Sequence, residues 1–361
     1  MMQKLLQSSK TLLSKQQTYA FSSQQSQQQK RKVVLLPGHG IGPEISNSVK
    51  RIFEVLKVPI EWEEHHTLDK PKDDEGNLID NKTLEKIKEY KYALKGPLMT
   101  PIGEGYRSLN VTLRKKLQLY ANVRPCKSFE GVKTHYDNVD VVTMRENTEG
   151  EYSGIEHKIL PGVVENLKII SQKASYNICK YAYEFAKANG RKKVSVCLKA
   201  GVMKQGDGLF MREALKVAEE YPEIQTEVVN VDTVCFQLAS NPQSLDVMVM
   251  PNLYGDIVSD LCSGLIGGLG LTASGNIGSD CELYEAVHGT APDIAGKDLA
   301  NPTALLLSST MMLNSMGFRN EAANIDQAVK SVLKENKYVT GDLGGKYGNT
   351  DYTNAIIDRL Q

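Results

Sequence analysis

The chain has no acidic residue before Glu44, no net charge, no closely spaced cysteine pair and one tryptophan. Each shortage excludes a class. A balance of 43 basic and 43 acidic residues advertises no basic surface for nucleic acid. Cys126, Cys179, Cys197, Cys235, Cys262 and Cys281 are scattered without a CxxC spacing, which argues against a secreted disulfide framework or a zinc ribbon and suits free thiols in a reducing compartment. Long apolar runs are also missing. The two uncharged stretches that approach spanning length, 261–279 and 299–318, are broken by glycines or by Asn301, Pro302 and several hydroxyl residues, so they read as buried soluble elements.

The acid-free leader carries Lys4, Lys10, Lys15, Lys30 and Arg31, and its leucine pairs Leu5–Leu6 and Leu12–Leu13 recur seven residues apart on one helical face. Basic, serine-containing, amphipathic and acid-poor is the pattern of a mitochondrial transit peptide, predicted here over residues 1–31. QQSQQQ at 24–29 permits the plainer reading of a disordered tail. Removal of 1–31 would take away five positive charges and leave a net negative chain.

At 361 residues the chain is long enough for two domains or one large α/β unit. KVVLLPG (32–38), DVVTMRE (140–146), KVSVCLK (193–199), TEVVNVD (226–232) and DVMVMPN (246–252) read as strands. Helical patterns such as 174–189 and 207–221 lie between them, so the fold class is α/β. PGHGIGPE (37–44) has glycines at 38, 40 and 42, but they do not fit G-x-G-x-x-G and no acid is expected to close a second strand about twenty residues on. A tight strand-to-helix turn is expected instead. Arg145, Glu146, Lys199, Asp232 and Asn252 all fall at strand ends, where an α/β sheet opens onto a cleft.

LYGDIVSD (253–260) sets Asp256 and Asp260 four residues apart in an apolar run. On a helix they share a face and repel, so they need a cation or a hydrogen-bond network. Spacing alone leaves two readings open: a helix cap plus a surface carboxylate, or hard oxygen ligands for Mg²⁺ or Mn²⁺.

NLYGDIVSDLCSGLIGGLGL (252–271) resembles the signature of the isocitrate/isopropylmalate dehydrogenase family. RSLNVTLRKKLQLYANVRP (107–125), RENTEGEYSG (145–154) and HGTAPDIAGKDLANPTA (288–304) match the same family in the expected order, from about residue 32 to the C-terminus. The resemblance implies that family's fold rather than a Rossmann dinucleotide fold: two subdomains around a central cleft, with a clasp-like segment. Residues 32–122 and 268–361 would form a large cofactor-binding domain. Residues 123–267 would form a small domain whose clasp, about 151–173, contributes to a dimer interface.

The same resemblance implies the site. Arg114, Arg124 and Arg145 would hold the three carboxylates of isocitrate, with Ser108 and Asn110 as hydrogen-bonding partners; guanidinium forks suit carboxylates and stay charged. Asp256 and Asp260 would bind Mg²⁺ or Mn²⁺ together with Asp232 of a neighbouring subunit. Lys199, also from the neighbour and aided by Asp232, would remove the hydroxyl proton, and Tyr152 would return a proton to C3. In HGTAPDIAG, Asp293 and Ile294 stand where NADP-dependent relatives place Lys and Tyr, and a carboxylate there selects NAD by repelling the 2′-phosphate. In TGDLGG (340–345), Gly341 and Gly345 replace phosphate-binding Tyr and Arg. His288 and Asn301 are expected at the adenine, with Thr100, Gly289, Thr290 and Ala291 among the other NAD contacts.

Three departures stand out. The family's HKANIMK is LKAGVMK here, with Leu198 for His and Gly201 for Asn, and its PGDGIGPE carries His39 for Asp. The implied function is oxidative decarboxylation of isocitrate to 2-oxoglutarate and CO₂ in the mitochondrial matrix, by a catalytic-type subunit of an oligomer of homologous subunits. A non-catalytic regulatory subunit is the alternative, and 3-isopropylmalate dehydrogenase a more distant one, disfavoured by the SLN motif. Retention of Asp256, Asp260, Asp232, Lys199 and Tyr152 favours the catalytic reading.

Overall fold

The computed structural model describes residues 30–68, 78–99 and 108–361. The leader up to residue 29 and Thr100 lie outside these. Arg31 already belongs to the folded body: it opens β1 (Arg31–Leu36), pairs with Ile60 of β2 (Ile60–Glu64) and donates to the Met316 carbonyl at 3.1 Å.

A ten-stranded sheet organises the described residues, in the order β2-β1-β3-β12-β11-β4-β5-β10-β8-β9. Its further strands are β3 (Tyr92–Lys95), β4 (Ala121–Lys127), β5 (Asp140–Glu146), β8 (Lys193–Leu198), β9 (Gln225–Asn230), β10 (Val247–Met250), β11 (Ala273–Ile277) and β12 (Glu282–Ala286). β6 (Glu156–Leu160) and β7 (Val163–Asn166) form a separate antiparallel hairpin. The ladders β2-β1-β3-β12 and β5-β10-β8-β9 are parallel, and antiparallel β11 and β4 join them. Helices α1 (Gly42–Val55), α2 (Asn81–Tyr90), α3 (Leu109–Lys116), α4 (Gln172–Ala188), α5 (Gly206–Ala218), α6 (Val231–Ser240), α7 (Asn252–Leu265), α8 (Thr303–Met316), α9 (Arg319–Glu335) and α10 (Asn349–Ile357) complete the α/β layers.

Buried parallel strands read as continuous apolar runs, and β10 (VMVM) has no exposed residue. The uncharged 299–318 stretch becomes α8, whose side chains are almost all buried between sheet and neighbouring helices. No described helix is long and apolar enough to cross a membrane. The hairpin departs from this pattern. Every residue of β6 and β7 is exposed, including Ile159, Leu160, Val163 and Val164, so the clasp segment offers an apolar surface that the other described residues do not cover.

The glycine turn is shaped by close backbone approach. A Cβ on Gly38 would stand 2.2 Å from the Pro97 carbonyl oxygen, and one on Gly40 would stand 1.9 Å from that of Thr290; both glycines have positive φ. The turn thereby meets the 288–293 loop, with Ile41 N–H donating to Thr290 O at 3.0 Å. His39 accepts from the Met99 N–H through Nδ1 at 3.0 Å, which puts its proton on Nε2 facing Thr67 at 2.9 Å. The expectation that no acid closes a second strand is corrected: β2 ends on Glu63 and Glu64. Both are engaged locally, Glu63 with His65 and Tyr90, and Glu64 with Lys50.

Candidate functional site

α7 begins two residues beyond β10 and runs with Asp256 and Asp260 on one face. Their mutual repulsion is answered by arginines. Arg145, at the end of β5 and 1% exposed, hydrogen-bonds Asp256 Oδ1 through Nη1 and fixes its fork on Asn252 Oδ1 at 3.0 and 2.8 Å. Asn252 in turn donates to Glu149 O at 2.8 Å. Arg124, on β4, reaches Asp260 Oδ1 at 2.8 Å and Ser259 Oγ at 2.6 Å. The β4–β5 register sets Asn122 opposite Arg145 and Arg124 opposite Thr143, so both guanidiniums approach α7. Tyr152, in a short 3₁₀ turn, donates its phenol proton to Asp256 Oδ2, and its ring centroid lies 5.0 Å from the Arg145 guanidinium.

Charge follows this arrangement. Burial works against an ionised Asp256, but Arg145, the Tyr152 hydrogen bond, Arg124 and Arg114 outweigh it and hold the carboxyl below its ordinary range. Burial and donation to Asp256 push the Tyr152 phenol up. Burial and the nearby Arg114 pull Arg145 down to about 10, which leaves it charged at neutral pH. The cluster therefore presents ionised carboxylate oxygens with one protonated phenol beside them.

Arg114 sits in the last turn of α3, 3.9 Å from the buried Glu285, which also binds Lys95 at 2.8 Å and accepts from Asn276 at 2.7 Å. Asn276 Oδ1 accepts from Asn122 and Asn147 at 3.1 and 3.0 Å, so a buried polar network runs across β11, β4 and the end of β5. Ser108 occupies the N-cap of α3 without capping it, and the Asn110 side-chain oxygen is buried without a partner among the described residues. Ser108, Thr112, Lys115 and Tyr152 line one cavity of ≈ 400 Å³.

Lys199 follows β8 and contacts Asp232 Oδ1 at 2.6 Å; that hydrogen bond draws the Asp232 carboxyl below its usual range. Asp232 lies in the first turn of α6, beyond the strand end where its sequence position suggested it. This pair is separate from the other acids. Among the described residues no three His, Cys, Asp or Glu side chains converge as a metal site within one chain. The structure brings Asp256, Tyr152 and Arg145 together, and Asp260 with Arg124, but not Asp232 with Asp256 and Asp260.

A second cavity of ≈ 580 Å³ is lined by His288, Gly289, Ala291, Ile294 and Asn301, together with Asp342. His288 Nδ1 lies 3.0 Å from Gly289 O, which makes Nδ1 the protonated nitrogen; Nε2 is buried with no partner among the described residues, and burial lowers the ring's pKa. Asn301 binds Asp342 Oδ2 at 2.9 Å. Thr290 holds the glycine turn through its carbonyl, and Asp293 is exposed beside the cavity residue Ile294. Of the two glycines read as missing phosphate ligands, Gly341 has open space for a side chain. Gly345 does not, since a Cβ would stand 1.8 Å from Val339 O. Ser259, Glu285, Asn276 and Asp342 carry no sequence signal that marks them as site residues; Asn252 carries one, its place just after a strand.

Buried arginines facing two carboxylates at the centre of a mixed sheet, with a separate apolar-walled cavity, define an α/β protein with a charged cluster and a second, apolar cavity. The sequence profile of the isocitrate/isopropylmalate dehydrogenase family matches residues 32–360, and the chain belongs to that family of oxidoreductases. It is 56% identical over 330 residues to a probable mitochondrial isocitrate dehydrogenase (NAD) of Drosophila melanogaster, its alpha subunit, covering 91% of this chain and 88% of that protein. It is 54% identical over 331 residues to a regulatory subunit of the mitochondrial isocitrate dehydrogenase (NAD) of Dictyostelium discoideum, covering 91% and 92%. The crystal structure of isocitrate dehydrogenase from Methylococcus capsulatus superposes with a TM-score of 0.86 at 44% identity, covering 91% of this chain and 99% of that one.

Proposed function

We propose that this chain is a catalytic-type subunit of a mitochondrial-matrix, NAD-dependent isocitrate dehydrogenase that converts isocitrate and NAD⁺ to 2-oxoglutarate, CO₂ and NADH. The observation that carries the reading is Asp256, ionised between Arg145 and the protonated Tyr152. Arg114, Arg124 and Arg145 bind the substrate's carboxylates, assisted by Ser108 and Asn110. Asp256 and Asp260, with Asp232 of a neighbouring homologous subunit, are the ligands for Mg²⁺ or Mn²⁺; their partly exposed carboxylate oxygens are the hard donors such an ion takes. When bound, the ion supplies Lewis-acid polarisation of the substrate oxygen at C2. The neighbour's Lys199, oriented by Asp232, accepts the hydroxyl proton, and Tyr152 delivers a proton to C3 after CO₂ leaves.

NAD, the hydride acceptor, occupies the cavity at His288. His288 and Asn301, which line this cavity, are the adenine contacts, and Asp293 disfavours a 2′-phosphate. Thr100, Gly289, Thr290, Ala291 and Ile294 complete the contacts in this reading. Residues 32–122 and 268–361 then form the cofactor-binding part, and 123–267 the part whose clasp packs on the neighbour. The exposed apolar face of β6 and β7 supports that docking.

Leu198, Gly201 and the resemblance to a relative named as a regulatory subunit support the second reading, in which this chain binds ligand without performing chemistry. One experiment separates them: the wild-type assembly is compared with one in which only this chain carries Asp256→Asn. Loss of isocitrate-dependent NADH formation supports the catalytic role, and full retained turnover overturns it.

A further inference from the structure

Asp207 stands in the first turn of α5 with none of its surface exposed. Its two oxygens accept from three distant parts of the chain. Oδ1 takes Lys168 Nζ at 2.9 Å; Oδ2 takes the backbone N–H of Lys199 at 2.7 Å and the Tyr254 hydroxyl at 3.1 Å. Lys168 follows the β6–β7 hairpin, lies 3.6 Å from Glu151 and stands 4.3 Å from the centroid of the Tyr254 ring. Glu151 precedes Tyr152, and Tyr254 precedes Asp256 by two residues. Charge-assisted bonds converging on a buried carboxylate make a stiff junction.

The Lys199 carbonyl accepts from the N–H groups of Val202 and Met203 at 3.0 and 2.9 Å, while its own N–H goes to Asp207. The turn after it is open: no atom lies within 4 Å of a Cβ placed on Gly201, and Val202 is 72% exposed. On its N–H side the Lys199 backbone is registered by the Asp207 carboxylate, while its side chain projects to Asp232. We propose that Asp207 is a positioning residue for Lys199, and that through Lys168 and Tyr254 it locks Lys199 in register with the segments bearing Tyr152 and Asp256. This rests on the reading of Lys199 as the proton acceptor. Because Lys199 is assigned to the neighbour's site and Tyr152 to the chain's own, the junction also ties two sites of an assembly together through one chain.

The test uses two paired variants of the full chain in its active assembly, assayed with isocitrate, NAD⁺ and Mg²⁺. Lys168→Met/Asp207→Asn and Lys168→Met/Asp207→Ala both remove the buried Lys168–Asp207 ion pair, and both leave Glu151 without Lys168, so that loss cancels between them. Only the first leaves an oxygen that can accept from the Lys199 N–H. The expected result is a kcat lower by on the order of 10- to 100-fold in the alanine pair than in the asparagine pair, with KM for isocitrate within a few-fold and similar thermal midpoints. Equal kcat values, or kcat values that merely follow the thermal midpoint, overturn the positioning role. Lys199→Met is the control for the underlying reading. If it turns over normally, the reading of Lys199 fails; if it is dead while the two pairs are equal, only the role of Asp207 fails.

Discussion

Gly255 lies against the stem of Arg145: a Cβ on Gly255 would stand 2.5 Å from Arg145 Cγ and 2.6 Å from its Cβ. The glycine in YGD is thus what lets α7 come close enough for Arg145 to hold Asp256. In Gly255→Ala, the gain in helix propensity of about 1 kcal/mol is offset by overpacking of about 1–3 kcal/mol. The thermal midpoint is expected to change little while KM for isocitrate rises on the order of tenfold, because Arg145 is the proposed partner of a substrate carboxylate and its guanidinium is displaced. Steady-state kinetics beside a melting curve check this, and an unchanged KM would remove Arg145 from the substrate site.

Asp256→Asn keeps the shape of the side chain but weakens its bonds to Arg145 and removes a proposed metal ligand. Turnover is expected to drop by about 10²–10⁴-fold or more, with the far-ultraviolet circular dichroism unchanged. A second readout is isothermal titration with Mn²⁺ in the presence of isocitrate, which should lose its heat of binding.

Lys95 and Glu285 form a buried pair at 2.8 Å. Burial alone would raise the Glu285 carboxyl, yet Lys95, Arg114 and the bond from Asn276 hold it at about 2, below its ordinary 4.5. A carboxyl depressed on folding stabilises the folded state fully above its unfolded value, and that contribution is lost as pH falls from about 4.5 towards 2. The contribution is on the order of 3 kcal/mol. Glu285→Gln should therefore lose stability at pH 7, where it removes the ion-pair partner of Lys95, and show a shallower decline as pH falls from about 4.5 towards 2. Urea unfolding across that range is the measurement; parallel pH curves for variant and wild type would refute the assignment.

Asp293 is exposed and precedes Ile294, which lines the His288 cavity. Asp293→Lys combined with Ile294→Tyr replaces a repelling carboxylate with an attracting cation. The ratio of kcat/KM for NAD over NADP is expected to fall by at least about tenfold, without a shift in thermal midpoint. If the ratio does not move, the cofactor's ribose lies elsewhere.

Gly201 sits in open space, so Gly201→Asn should fold without penalty. An amide restored at this turn is expected to lower KM for NAD or raise kcat by a few-fold. A loss of activity would mean that the glycine itself serves this enzyme.

Local order settled much of this protein. The apolar runs at 32–38, 140–146 and 193–199 are strands because a buried parallel ladder requires such runs on both faces, and LYGDIVSD is a helix whose four-residue spacing puts both acids on one side. Asp256 and Asp260 were readable for that reason, as were Arg124 and Arg145 within their motifs. The strands β11 and β12 escaped, since ASGNI and ELYEA alternate too weakly to announce themselves. Pairings decided by packing were equally invisible: which arginine meets which acid depends on the antiparallel register of β4 with β5. The partners of Asp207 come from residues 168, 199 and 254, and no spacing links three segments so far apart. Periodicity encodes the face a residue takes, because that is a property of a few neighbouring residues. The partner it meets follows from how the sheet stacks and closes, and only the folded chain as a whole fixes that.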